Sequence, residues 1–326
     1  MNNFKKIGLT ALAASLVSVS ANAGELSVSG AASMNVGNYS GEARNGGATF
    51  SMGNQITFSG GGELDNGMTV SLSFQLDSGS ANATNGPFDD HSVTVSSDAL
   101  GSLTLHGHGG GSATSAMDAT AAGNIWDTFD GARNSQGVVG VGHTNSAPGN
   151  NSLSYVMPTI MDGVAVNLSY EPQSSGNKID SGMGYAVTYT GVEGLTLAYS
   201  TSDEVGTSAD LSGEQTAWKI SYVYGPVTAT MTQSEFDVTT TTADQDVSSM
   251  AVSYTISDEM SVTYGTETIE STSSGHVDAE YTVLKGSYTS GGMTISANIK
   301  EGENIAHGTA SNQDFDYWGL GLAFAF

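Results

Sequence analysis

No cysteine occurs anywhere in the 326 residues, so neither disulfides nor thiol chemistry can belong to this chain's function. Proline is nearly as scarce, at 5. No apolar run approaches the ~18 residues that suggest a membrane-spanning helix. Basic residues number only eight against 33 acidic ones, a net charge of −25, which excludes nucleic acid as a partner. Enzyme signatures are missing as well. His108-Gly109-Gly110-Gly111 looks like a lipase oxyanion segment, but no Gly-x-Ser-x-Gly elbow accompanies it. There is no phosphate-binding loop or dinucleotide fingerprint. His106 and His108 share a strand face and could bind a metal, yet spacing reveals no third ligand.

At the start of the chain, Lys5 and Lys6 precede an apolar stretch over residues 7–19, followed by Ala21-Asn22-Ala23. This is the pattern of an export signal cut after a small-x-small site. Residues 1–23 are read as signal peptide and 24–326 as one domain. Losing the two lysines takes the net charge from −25 to −27. The 43 glycines and a mean hydropathy of −0.13 describe many turns and half-polar strands. Such an average hides an apolar face that is presented by alternation.

Alternation is what the sequence then shows. Trp318, Leu320, Leu322, Phe324 and Phe326 occupy every second place, and the facing set Tyr317, Gly319, Gly321, Ala323 and Ala325 is mostly small. Only a strand gives that period, with one apolar face and one nearly bare. Residues 68–76 repeat it. Sixteen such segments are counted, near 25–36, 52–62, 68–76, 93–95, 103–105, 152–157, 164–170, 184–190, 195–200, 215–224, 227–236, 247–256, 261–270, 279–289, 293–300 and 314–326. Every second junction is tight, and those between are longer, polar and acidic. An even strand number with short links at one end and long links at the other suits a closed antiparallel transmembrane barrel. Tyr189, Tyr222, Tyr224, Tyr254, Tyr288 and Phe326 fall at the tight-turn ends, where one aromatic girdle would lie, and Tyr170 and Tyr199 fit the other.

In its sixteen strands, its long interruption after the fifth and its terminal Phe, the chain resembles the general diffusion porins of Gram-negative outer membranes, particularly the alphaproteobacterial type. The stretch 321–326 is similar to the C-terminal strand by which outer-membrane barrels are recognised for assembly. The resemblance implies a homotrimer in the bacterial outer membrane, a long third loop folded into the lumen, and passive diffusion of ions and small hydrophilic solutes, with no cofactor. Carried onto this sequence, the constriction loop spans about residues 109–150, with Asp118, Asp127, Asp130 and Arg133 as pore-lining candidates. In the family such carboxylates set a transverse field and can also hold a calcium ion. The bland alternative is that aspartates collect in any long turn-rich segment. Trp126 and Phe129 are read as anchors of the loop.

The arginine cluster usual on the opposite wall in such porins is absent. Alternation turns Lys219, Lys285 and Lys300 inward as the available counter-charges, since a lysine at mid-depth on the lipid face costs about 2–4 kcal/mol. They lie on different strands and need not meet the loop. The acidic excess predicts mild cation selectivity. A non-conducting structural or adhesive barrel, an outer-membrane hydrolase and a secreted β-solenoid are the rival readings.

Overall fold

The computed structural model describes residues 26–41, 47–77, 88–117, 119–130, 150–173, 180–205, 212–238, 244–271, 275–309 and 313–326. Residues 1–23, read from the sequence as a signal peptide, lie outside them. Sixteen strands run β1 Ser27–Gly41, β2 Thr49–Glu63, β3 Thr69–Asp77, β4 His91–Ser97, β5 Gly101–His108, β6 Ser152–Val156, β7 Val164–Glu171 and β8 Gly182–Val192. They continue with β9 Leu195–Glu204, β10 Gly213–Tyr224, β11 Val227–Val238, β12 Gln245–Ser257, β13 Met260–Ser271, β14 Ala279–Ser290, β15 Met293–Glu303 and β16 Phe315–Ala325. Each strand pairs antiparallel with its sequence neighbours, and β1 pairs with β16 from Ala31↔Ala325 to Gly41↔Phe315, so the sheet closes on itself. Phe326 lengthens that seam, its N–H donating to the Gly30 carbonyl and its own carbonyl accepting from the Gly30 N–H.

Closure removes the unpaired edges of a sheet. It also separates two faces by residue parity. On β14 to β16, Leu284 stands opposite Ile299 and Ile299 opposite Trp318, and these are 49, 56 and 40% exposed. Such a continuous apolar exterior demands a lipid solvent. Inward residues are buried instead, as in the strict buried–exposed alternation at the start of β8. Tyr222, Tyr254, Tyr288 and Phe326 are exposed beside the short links, and Tyr170 and Tyr199 are exposed elsewhere on the same outer face. Tyr189 is only half-buried and pairs with Val164.

The strands outrun the hydropathy pattern at the long-link rim. β1 reaches Gly41 rather than 36, β9 reaches Glu204 rather than 200, and β15 reaches Glu303 rather than 300. Backbone ladders need no apolar side chains, so pairing continues past the band that lipid selects. An arginine at Leu320 on the apolar exterior should destabilise the barrel by about 2–4 kcal/mol, whereas one at Gln55 on the lumen face should cost little. Urea unfolding from detergent or lipid, compared between the two variants, measures this.

Two of these rim links meet between β13 and β16. His276 and His307 stack with ring centroids 5.3 Å apart, His307 Nδ1 lies 2.8 Å from the Val277 carbonyl, and Asp278 is nearby. Burial first, and His276 second, hold the His307 imidazole below its ordinary value of 6.5, against the opposing pull of the Val277 carbonyl and Asp278. The sign follows from which state binds more protons. Below pH 6.5 the unfolded rim protonates and the folded one resists, so local stability is present above that pH and falls as pH drops towards the lower folded value. Hydrogen exchange over residues 275–309, corrected for intrinsic rates, should quicken between pH 7 and 5, and His307→Gln should flatten the change.

Candidate functional site

After β5 the chain leaves the wall and crosses the inside of the ring. It forms a 3-10 turn at Ala113–Met117 and a single helical turn, α1, at Asp127–Asp130. An irregular segment carries backbone donors without partners, and these must be met if it is to be buried. The lumen face of the strands meets them with small hydroxyls. Ala113 N–H donates to Ser169 Oγ of β7 at 2.7 Å, Ala121 N–H to Thr232 Oγ1 of β11 at 2.9 Å, and Ala122 N–H to Ser249 Oγ of β12 at 3.0 Å. The hydroxyls of Thr114 and Ser202 of β9 hydrogen-bond at 2.6 Å.

The centre of the attachment is Glu267 on β13, 1% exposed. One carboxylate oxygen accepts from Thr120 Oγ1 at 2.6 Å and from Ile125 N–H at 3.3 Å, and the other accepts from Trp126 N–H at 3.1 Å. A buried carboxylate is tolerated only when so satisfied. Lys285 of β14 donates to the Ala122 carbonyl at 3.1 Å. Lys300 of β15 donates to Thr128 Oγ1, and Tyr39 of β1 to the Thr128 carbonyl at 2.5 Å. One segment can bond to β7, β9, β11 to β15 and β1 of a closed ring only from inside it.

Apolar packing completes the attachment. Ala122, Ile125, Trp126 and Phe129 bury themselves against Val247, Ile269, Ala279, Tyr281, Val283, Ile305 and Phe315. Phe129 stacks on Tyr281 at 5.7 Å and meets the edge of Tyr39 at 6.3 Å. Gly265 supplies the clearance, since a Cβ there would come within 2.7 Å of the Ala122 Cβ.

The register carries the lumen face around the remaining arc. Gln55 of β2 stands opposite Asp77, Thr57 opposite Gln75, Ser59 opposite Ser73, Ser73 opposite Ser92, and Ser92 opposite His106. Thr94 and Thr104 hydroxyls bond at 2.8 Å, and His106 bonds Ser154 Oγ at 2.9 Å. The hydrogen bonds of residues 109–130 named above go to β7, β9, β11 to β15 and β1, and Gly111 and Ser112 adjoin Ser152 of β6, so the remaining arc is that of β2 to β5. A cavity of about 620 Å³ lies along it, bordered by Ser59, Ser71, Ser73, Ser92 and Thr94.

The sequence-derived candidates are distributed as follows. Asp127 is exposed and Asp130 half-buried, both in α1. Asp118 and Arg133 lie outside the described residues. Lys219 is on the lumen face, opposite Thr232. Lys285 and Lys300 are inward too, but they bond to the loop. The sequence reading left open whether the lysines meet the loop; Lys285 and Lys300 do. That reading followed strand parity, which fixes the face of a residue but not its place around the ring. Asp127 and Asp130 gather no third carboxylate or imidazole among the described residues. Sequence reading passed over Glu267, Tyr39 and Tyr281. The trace was there in β12 to β14, where Val247, Ile269 and Val283 place apolar side chains at inward parity and so announce something packed inside.

The Gram-negative porin family model matches residues 8–326. A search of curated proteins finds no match. Among solved structures, the chain is similar to the anion-selective porin from Comamonas acidovorans, with a TM-score of 0.72 and 15% identity over 93% of this chain and 99% of that one. It is also similar to a loop L8 deletion mutant of OmpT, an outer membrane protein of Vibrio cholerae, at TM-score 0.68 and 14% identity over 94% and 100%. A porin refined at 1.8 Å aligns at TM-score 0.66 and 19% identity over 93% and 100%. At such identities the likeness is one of fold.

Proposed function

This chain belongs to the Gram-negative porin family, and from that premise we propose how its passive-diffusion channel is arranged in the outer membrane. The conducting path runs between the docked segment and the arc of β2 to β5. The observation that carries this reading is the attachment of residues 109–130 to β7, β9, β11 to β15 and β1, together with the wall of serine, threonine and glutamine on β2 to β5, which suits water and hydrophilic solutes. Asp127 and Asp130 line the narrowed path, and the candidates Asp118 and Arg133 lie outside the described residues. Lys285 and Lys300 belong to it by holding the loop, and Lys219 by facing the lumen. Three such barrels associate as a homotrimer, and the terminal strand ending in Phe326 presents the signal for the assembly machinery. No reaction is assigned to the chain and no resident cofactor is needed, so a chelator should leave conductance unchanged.

Mild cation selectivity follows from charge. Carboxylates outnumber basic groups about fourfold in the whole chain, 33 to 8, and their field in a pore mouth acts within a Debye length of about 8 Å at physiological salt. The anion selectivity named for the Comamonas acidovorans porin belongs to that protein; side-chain charge, not the shared fold, sets this property. In planar bilayers under a salt gradient, the reversal potential should report cation preference. Asp127→Asn with Asp130→Asn should reduce it, and raising salt tenfold should mute it. Anion preference in the unaltered protein would overturn the assignment.

A further inference from the structure

We propose that Asp89, Asp90 and His108 form a binding site for a borderline divalent transition-metal ion, of which Zn²⁺ is the type. One ligand atom from each lies within 4.8 Å of the others. His108 Nδ1 and Asp90 Oδ1 are 3.4 Å apart. Two ligands each about 2.1 Å from a tetrahedral ion are separated by about that much. The spacing is too long for a strong hydrogen bond and suits an ion between the two atoms.

Three features of the backbone hold the donors in place. Asp89 N–H donates to the Gln75 carbonyl and Gln75 N–H to the Asp90 carbonyl, both at 2.8 Å, which fixes both aspartates just before the start of β4. The β4–β5 ladder shifts register between His91 and Ser92, so that His91 pairs with His108 and Ser92 with His106. Such a bulge re-aims a side chain, and here the re-aimed one is His108. The next residue, Gly109, has φ of +73°, and a Cβ on it would strike Asp90 Oδ1 at 1.9 Å. Only glycine lets the carboxylate come so close to the root of the loop.

One imidazole nitrogen with two carboxylate oxygens selects zinc-like ions over calcium, which takes six to eight oxygens. Water completes the coordination, since the His108 and Asp90 side chains are 28 and 46% exposed. The ion would tie the β3–β4 link to the point where the long segment leaves the wall. The proposal does not depend on the conduction path described above.

Co²⁺ is the probe, titrated into the detergent-purified full barrel with its visible d–d bands as the readout. One equivalent per chain should produce bands that Zn²⁺ abolishes and millimolar Ca²⁺ does not. His108→Ala should weaken binding at least about tenfold, because it removes the one nitrogen donor, and Asp90→Asn should weaken it while preserving shape. His276→Gln, remote from the site, should bind as the unaltered protein does. Absence of bands, equal binding by the His108→Ala and Asp90→Asn barrels, or displacement by Ca²⁺ would each overturn the assignment.

Discussion

Glu267→Ala should free the long segment from the wall while leaving the barrel closed. Its carboxylate is the common acceptor for Thr120 Oγ1 and for the N–H groups of Ile125 and Trp126, and alanine leaves all three buried donors unmet. Each unmet donor costs roughly 1–3 kcal/mol, so docking should weaken by about 3 kcal/mol even if water reaches some of them. The strand ladders do not pass through this side chain, and the barrel should still show full β content and heat-resistant migration. The change should appear in two places. Single-channel currents should become larger and noisier, and residues 109–130 should become cleavable by protease added to the protein in detergent. Glu267→Gln, which keeps a carbonyl acceptor, should fall between the two.

Phe129→Ala attacks the same docking from its apolar side and should cost about 3–5 kcal/mol by the usual penalty for emptying a buried phenyl site. Phe129 is 0% exposed and touches both Tyr39 and Tyr281. The variant should share the enlarged current and protease sensitivity of Glu267→Ala. Once one contact has released the segment, the other has nothing left to hold. The double variant should therefore be little worse than either single one, a large departure from additivity that marks the two residues as parts of one unit. Additive losses would mean that each supports the barrel itself.

The barrel was legible in the sequence because its solvent is lipid on one side and water on the other. That contrast repeats every second residue, as in Trp318, Leu320, Leu322 and Phe324, and links of unequal length then number the strands. The loop anchors were legible in part. Trp126 and Phe129 are apolar residues in a polar link, and they do pack against the wall. Glu267 was not legible, since an isolated carboxylate in a strand reads as ordinary pore polarity until its three donors are seen. Parity gave the lysines their face, but not whether they meet the loop. Their distance from the loop depends on which way the loop turns after Gly109, and no local pattern encodes that. The partners of His108 were likewise hidden, because Asp89 and Asp90 reach it through the β4–β5 pairing and a shift of register.

The native absence of cysteine allows the central claim, an exterior in lipid and a lumen half covered by the loop, to be tested at chosen points. Single cysteines at Ser73 and Thr94 on the β2–β5 arc, at Ala217 beneath the covered arc (2% exposed) and at Leu320 on the exterior would each meet a charged, water-soluble thiosulfonate during bilayer recording. Rapid modification with a stepwise fall in current at positions 73 and 94, and silence at 217 and 320, is the predicted outcome. Block at 217 as fast as at 73, or reaction at 320 with none at 73 and 94, would contradict it.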